Sequence, residues 1–489
     1  MTGWPDQPVI YEINTVIWLG ELSRRQGRLM TLGDVPAEAW DEVLPAGVDA
    51  VWLMGVWERS PAGLRIAMRD QALRASWSEA LGDLRPDDVA GSPYCVRDYV
   101  VAPALGGPEG LAAARAELAG RGLRLLLDYV PNHVAPDHPW LAEHPECFVQ
   151  GDAADLERSP DAFLASGDHV LARGRDPFFP PWPDVVQLNA FSQRLRTLTV
   201  DTLTTIGGQA DGVRCDMAML LMNEVFARTW GDRAGAAPAE DFWTWVLPRV
   251  RQQCPEMLFI AEAYWDLEWA LQRQGFDHCY DKRLYDRLVQ GDAGPVREHL
   301  LADIGYQRGL VRFLENHDEP RAAAAMPRDR ELAAATAVAT LPGATLWHEG
   351  QFAGRRVRPP VFLSRRPDEP VDGDLRRFHR DLLAAVRSSG MRSGSWQALD
   401  CTGWPDNPSH RGLLAWSWTG GERRQVVVVN FSDGPAQGRV PLPWTDLRGR
   451  SWRLTELLAG TVYERDGDEL ADPGLYVALD PWRWHLLSL

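Results

Sequence analysis

Cysteine is scarce: six residues in 489, Cys95, Cys147, Cys215, Cys254, Cys279 and Cys401, with no CxxC pair among them. That scatter argues against a disulfide framework or a zinc ribbon, and a reduced, cytoplasmic setting is expected. The start of the chain has no basic segment followed by an apolar stretch, so no signal peptide is read. No run approaches the ~20 apolar residues of a membrane span, and no membrane partner is expected. Positive charge is in deficit. The formal net charge is -17, with the acids spread along the chain, and such a balance repels phosphate backbones; nucleic acid is excluded as a partner. No GxGxxG or Walker loop follows the first apolar run, which weakens nucleotide-binding readings. There is no internal repeat and no low-complexity run.

What is present is ordinary in bulk: 45% hydrophobic and 24% charged residues, which suits a soluble globular protein. The length exceeds the roughly 100–200 residues of one domain. Tryptophan stands out, at 22 residues. Its flat face stacks on sugar rings, but it also fills cores, and most of these are expected to be packing.

A short apolar run, a loop and an amphipathic stretch repeat from residue 9 to about residue 387. Compact apolar, β-branched blocks at 9–14, 48–54, 123–128, 210–216, 257–262, 276–280, 310–314 and 344–347 give eight strand candidates. Between them, Pro108 opens a helix carrying Leu111, Ala114 and Leu118. Phe191, Leu195 and Leu198 mark another, expected to stop at Gly207-Gly208. An alanine-rich helix over 330–341 is closed by Pro342-Gly343. Eight alternating units predict an α/β fold, a closed (β/α)8 TIM barrel over 1–132 and 190–390. A loop-rich insertion after strand three, 133–189, breaks the rhythm and is too long to be a plain connection. Beyond residue 391 the helical pattern gives way to strand-like runs, predicting a C-terminal antiparallel β-sandwich domain over 391–489.

Barrels of this kind carry their chemistry at the C-terminal ends of the strands. Those ends read Asp128-Tyr-Val-Pro-Asn-His133, Arg214-Cys-Asp216, Glu262, and Asn316-His317-Asp318-Glu319. The carboxylates of Asp216, Glu262 and Asp318 among them, with two histidines and an arginine, thus converge on one rim. Arg214 and Asp216 are two apart and share a face, and a guanidinium beside a carboxylate favours its ionised form, as a nucleophile requires. A retaining glycosidase also needs a second, protonated carboxyl ~5–5.5 Å away, for which Glu262 is the candidate. Asp318 is placed to hydrogen-bond sugar hydroxyls and hold a distorted ring.

Four blocks resemble, in order and spacing, the signature regions of the α-amylase superfamily (glycoside hydrolase family 13). Asp128-Tyr-Val-Pro-Asn-His133 looks like the first, Asp211-Gly-Val-Arg-Cys-Asp-Met-Ala218 the second, Phe259-Ile-Ala-Glu262 the third and Phe313-Leu-Glu-Asn-His-Asp318 the fourth. Ser92-Pro-Tyr-Cys-Val-Arg-Asp-Tyr99 and Leu341-Pro-Gly-Ala-Thr345 extend the likeness. The resemblance implies catalytic Asp216 (nucleophile), Glu262 (acid/base) and Asp318. It implies sugar contacts from Tyr94, His133, Arg214 and His317, with Asp128 and Asn132 in support. Many calcium-dependent members carry a Lys-His pair after the second region. Here Met219-Leu-Leu-Met222 stands instead, so no cofactor is expected to be required. Asn132 is the candidate calcium ligand, and a bound ion is expected less than its absence. The missing pair also favours shorter saccharides over starch.

Taken singly, these residues have plainer readings: strand-end aspartates cap or pair, loop histidines are satisfied in place, and tyrosines pack. Three acids at matched strand ends need a further reason. Trp182, Trp265 and Trp269 are candidates for outer sugar contacts, although Trp265 and Trp269, four apart, read first as one packed helix face. Glu224 and Glu268 read as solvated or capping acids. His133 and His138 lack a third ligand for a metal. The leading expectation is a retaining hydrolase of α-glucosidic bonds in short gluco-oligosaccharides or α-glucosides, with a carbohydrate as partner. The alternatives are a transglycosidase or isomerase using the same carboxylates, and a non-catalytic carbohydrate-binding chain.

Overall fold

The computed structural model describes residues 3–489. Eight parallel strands close on themselves: β1 Val9–Asn14, β2 Ala50–Met54, β3 Arg124–Tyr129, β4 Gly212–Cys215, β5 Leu258–Ala261, β6 His278–Tyr280, β7 Leu310–Arg312 and β8 Ala344–His348. Each falls where an apolar block predicted one. β1 pairs β8 on one side and β2 on the other, so no barrel edge is left open.

The period-two alternation of a strand divides the side chains between two cores. Inward-facing Ile10, Leu126, Leu258, Ile260, Val311 and Leu346 plug the barrel. Their outward neighbours, among them Val51, Leu53, Leu125, Leu127 and Val213, pack under the helices. Gly212 supplies no inward side chain because there is no space for one: a Cβ there would lie 2.7 Å from Leu126 Cδ2 and 2.9 Å from the Leu258 carbonyl.

The helix after the insertion, Gln193–Gln209, is capped by the Ser192 hydroxyl and runs through Gly207 and Gly208 to its C-cap at Ala210. The expected stop at the glycine pair is therefore corrected. Gly207 is there for close approach, since a Cβ would meet Cys254 Sγ at 2.6 Å, whereas Gly208 faces open space. Two opposite outcomes follow. Gly207→Ala should destabilise by about 1–3 kcal/mol through overpacking, although alanine is the better helix former. Gly208→Ala should stabilise by about 0.5–1 kcal/mol. Urea midpoints of the two variants check both signs.

The insertion between β3 and that helix forms a small sheet of Gln150–Gly151, Phe163–Ser166 and His169–Ala172, and its ends pair as His133–Val134 with Val186–Gln187. After helix Gly373–Ser389 come strands, the 3-10 helix Pro408–Gly412 and the short α-helix Gly467–Ala471: β9 Ser395–Leu399, β10 Leu413–Gly420, β11 Arg423–Asn430, β12 Ala436–Val440, β13 Ser451–Glu456, β14 Val462–Asp466, β15 Leu475–Leu479 and β16 Trp484–Ser488. Six form one antiparallel sheet, β9-β10-β11-β16-β13-β14, faced by the β12–β15 pair across a core of Leu413, Val426, Val428, Val440 and Val477. The alanine-rich helix, Arg328–Thr340, is buried nearly all round, because it lies between the barrel and this sheet; Trp418 Nε1 donates to the Thr340 carbonyl at 2.8 Å. No helix among the described residues is long and apolar enough to cross a membrane.

Candidate active site

The alternation that fills the barrel also builds the site. Moving two residues along β1, β3, β5 and β8 from the plugging Ile10, Leu126, Ile260 and Leu346 gives Glu12, Asp128, Glu262 and His348. The same step from Gly212 gives Arg214 and then Asp216. All are buried. These inward positions above the plug are thus polar, whereas Met54 and Phe313 on β2 and after β7 stay apolar, and the closing barrel aims the polar ones at one another.

Arg214 is the hub. Its Nη1 donates to Asp216 Oδ1 at 2.6 Å and stands 3.7 Å from Asp128 Oδ1, while Nη2 lies 2.8 Å from Glu262 Oε2. One guanidinium cannot touch carboxylates on opposite rims, so Asp216 and Glu262 lie together. Tyr94, Trp52 and Tyr280 surround it, their ring centres 5.3, 5.4 and 5.7 Å from the guanidinium carbon. Asp128 is held by Trp52 Nε1 at 3.1 Å and the Gly55 amide at 3.2 Å. Glu262 accepts from the Met217 amide at 2.7 Å and the Tyr264 hydroxyl at 2.9 Å. The Asn316 side chain accepts from the amides of Asp318 and Glu319, each at 2.9 Å, and so fixes the turn after β7.

Tyr94, His133, Trp182, Asp184, Asp216, Met217, Glu262, Tyr264, Asp318 and Phe362 line one cleft of about 380 Å³. Of the residues named from sequence, Asp216, Glu262, Asp318, Tyr94 and His133 reach it. Arg214 and His317 lie beneath, bonded to those that do, and Asp128 lies beneath beside Arg214. Asn132 is turned away: its amide is engaged by Gln187 on both sides, at 2.9 and 3.3 Å, and lies 3.3 Å from His133 Nδ1. This amide and imidazole set holds no carboxylate and suits a hard cation poorly. No cluster of three or more metal-ligating side chains occurs among the described residues.

Burial and neighbouring charges set the protonation states. Burial pushes the Glu262 carboxyl up to about 7, with Asp216 and Asp318 adding to the rise and Arg214 opposing it. Burial also raises Asp216 against the pull of Arg214, which corrects the ionising direction anticipated from the Arg214 neighbour alone. The reason is that desolvation outweighs the guanidinium, and the neighbouring carboxylates of Asp318 and Asp128 add to the rise. Desolvation works against Asp318 too, but His317 holds it at about 2, and 44% of its side chain is open to the cleft. Burial lifts Asp128 to about 6 and holds His133 down at about 4.

Two aromatic expectations change. Trp265 sits in a left-handed turn at φ 62°, outside the helix Glu268–Arg273 that carries Trp269, so the two share no helix face. Trp265 packs edge-on to Phe178, and half-exposed Trp269 packs against Tyr306. Trp182, by contrast, reaches the cleft and meets His133 edge-on at 5.2 Å. Glu268 is buried rather than solvated, starting its helix with one oxygen unpaired. Sequence reasoning missed Tyr264, Trp52, His348 and Glu12. Glu12 did leave a signal, as the one charge inside an otherwise buried strand.

No family model matches the chain. It is 26% identical over 452 residues to the α-amylase MalA of Haloarcula japonica, covering 90% of this chain and 57% of that protein. It is 25% identical over 468 residues to an α-1,4-glucan:maltose-1-phosphate maltosyltransferase of Rhodospirillum rubrum, covering 90% of this chain and 60% of that one. With three of the four strand-end blocks gathered on one guanidinium, these likenesses support the α-amylase superfamily. The chain spans less than two thirds of the length of those two relatives. Solved α-amylase structures share its fold from end to end. The maltogenic α-amylase AmyB of Thermotoga neapolitana overlays with a TM-score of 0.68 at 20% identity, covering 99% of both chains. The Geobacillus thermoleovorans α-amylase complexed with acarbose gives 0.66 at 18% identity, covering 100% of this chain and 99% of that one.

Within this α-amylase-type cleft, Tyr264 has a testable electrostatic part. A hydroxyl donated to a carboxylate favours its charged form. Tyr264→Phe should therefore raise the Glu262 pKa and move the basic limb of kcat/KM to higher pH, with less than about tenfold loss at the optimum.

Proposed function

We propose that this chain is a retaining glycosidase that cleaves α-glucosidic bonds of short gluco-oligosaccharides or α-glucosides. Asp216 acts as nucleophile and Glu262 as acid/base. The observation that carries this reading is the pair of carboxyls bound to the two nitrogens of Arg214, with Glu262 titrating near 7. Two acids so close, one of them titrating near neutral pH, are what double displacement uses.

Protonated Glu262 gives its proton to the leaving oxygen while Asp216 attacks the anomeric carbon. The bond from that carbon to the leaving oxygen breaks as the Asp216 ester forms. The ester removes the negative charge of Asp216, which lowers the Glu262 pKa and lets it accept a proton from the incoming water. Asp318, held ionised, takes hydroxyls of the same sugar; Tyr94 lies under the ring, His133 binds a further hydroxyl, and His317 beneath them holds Asp318. Asp128 braces Arg214. No cofactor takes part in this scheme.

Transfer to a sugar hydroxyl in place of water is the second reading. The maltosyltransferase among the relatives favours it, as do the apolar walls of Trp182, Phe362 and Met217, which limit water. The deciding experiment offers maltose, trehalose, sucrose and maltotriose separately and follows each by proton NMR. Hydrolysis gives free sugar with the α-anomer first, and transfer gives new glycosides with little free sugar. A β-anomer appearing first overturns the mechanism in either form.

A further inference from the structure

Glu12 is 0% exposed, on β1, the strand farthest in sequence from the acids of the cleft. Its Oε1 lies 2.5 Å from His317 Nδ1. On the other side of the ring, His317 Nε2 lies 2.9 Å from Asp318 Oδ2 and 2.7 Å from the Tyr94 hydroxyl. A neutral imidazole has one donor nitrogen and one acceptor, but an ionised carboxylate offers acceptors only. Both nitrogens of His317 face carboxylates, so both must carry protons. The Tyr94 hydroxyl fits either state, since it can donate or accept.

We propose that Glu12 is a positioning residue which, through Nδ1, holds His317 as a doubly protonated imidazolium and thereby keeps Asp318 ionised and oriented for the sugar. The Asp318 part rests on the function proposed above; the imidazolium part does not. The charged and titratable groups facing this ring come from every side. They are Glu12 on β1, Asp128 on β3 under Trp52, Arg214 on β4, Tyr94 from the loop before the insertion, and Asp318 beyond β7. His348 on β8 is the register partner of Glu12. Trp52 closes the remaining side edge-on at 5.4 Å. The balance agrees with the geometry. Burial works against a charge on the ring, yet Asp318 and Glu12 together hold its pKa well above the usual histidine range. Burial likewise opposes ionised Glu12, but His317 and His348 bring it below the usual carboxylate value.

The test uses the full chain with ¹⁵N-labelled histidine rings, the His317 signal being assigned by its loss in His317→Gln. In the wild type, both ring nitrogens should stay protonated well above the usual histidine range. Glu12→Gln keeps the shape and one acceptor oxygen but removes the charge. His317 should then titrate near the usual value of about 6.5, and kcat/KM should gain a new loss of about tenfold between pH 6.5 and 8. Glu12→Asp should restore the doubly protonated ring, in part or in full. A wild-type ring that is singly protonated at pH 7 overturns the proposal, and so does a ring in Glu12→Gln that stays doubly protonated at pH 8. If the ring behaves as stated but Asp318→Asn retains full turnover, the reading of Asp318 fails and the imidazolium stands.

Discussion

Asp216→Asn lowers kcat by about four orders of magnitude or more, with the melting temperature within a few degrees of the wild type. The large loss follows from chemistry: an amide nitrogen or carbonyl cannot form the ester on which double displacement depends. The small change in stability follows from packing. Asn has the same shape, and Arg214 keeps Glu262 at 2.8 Å and Asp128 at 3.7 Å. The buried carboxylate it replaces is itself held above its ordinary pKa by desolvation, so its removal relieves an unfavourable burial. One more readout is specific to this geometry. Without the Asp216 charge, Glu262 loses a neighbour that raises its pKa, and its titration, followed by infrared spectroscopy, should shift below 7. Steady-state turnover and a thermal melt check the main claim; activity within tenfold of wild type would remove Asp216 from the mechanism.

Glu262→Gln separates the two halves of the reaction. For substrates with poor leaving groups, kcat/KM should fall by about 10²–10⁴-fold, the usual worth of a positioned general acid. For a glycosyl fluoride, which needs no proton to depart, the first step should be nearly unaffected. The second step then lacks its base, so a glycosyl ester should accumulate on the peptide carrying Asp216 and be detectable by mass spectrometry. The pH profile supplies the sign check. The proposed mechanism needs Glu262 protonated, so the wild type should lose kcat/KM as pH rises through about 7, and this limb should vanish in the variant. Azide should rescue the second step and give a product of unchanged anomeric configuration. Equal losses for the fluoride and for maltose would place Glu262 in a supporting role instead.

The site was legible in part because strand ends are legible. Asp216, Glu262, Asp318 and Arg214 each close a β-branched apolar run, and a closed barrel leaves those ends nowhere to go but one rim. Tyr264 was not legible. It lies beyond the strand, beside the left-handed turn at Trp265 and Asp266, and no local preference announces its bond to Glu262. The glycine pair in Gln193–Gln209 misled for a related reason. Gly207 looks like a helix stop by propensity, but what demands glycine there is the sulfur of Cys254, 47 residues away in sequence.

The sequence alone determined the eight strands, their order and the identity of the acids, because apolar periodicity and residue chemistry are local properties. Only the tertiary structure decided the protonation pattern. How far Glu262 rises, why Asp216 rises with it despite Arg214, and why His317 is charged all depend on how many carboxylates share one guanidinium and one imidazole out of reach of water. Those are distances between strands, and no single segment contains them.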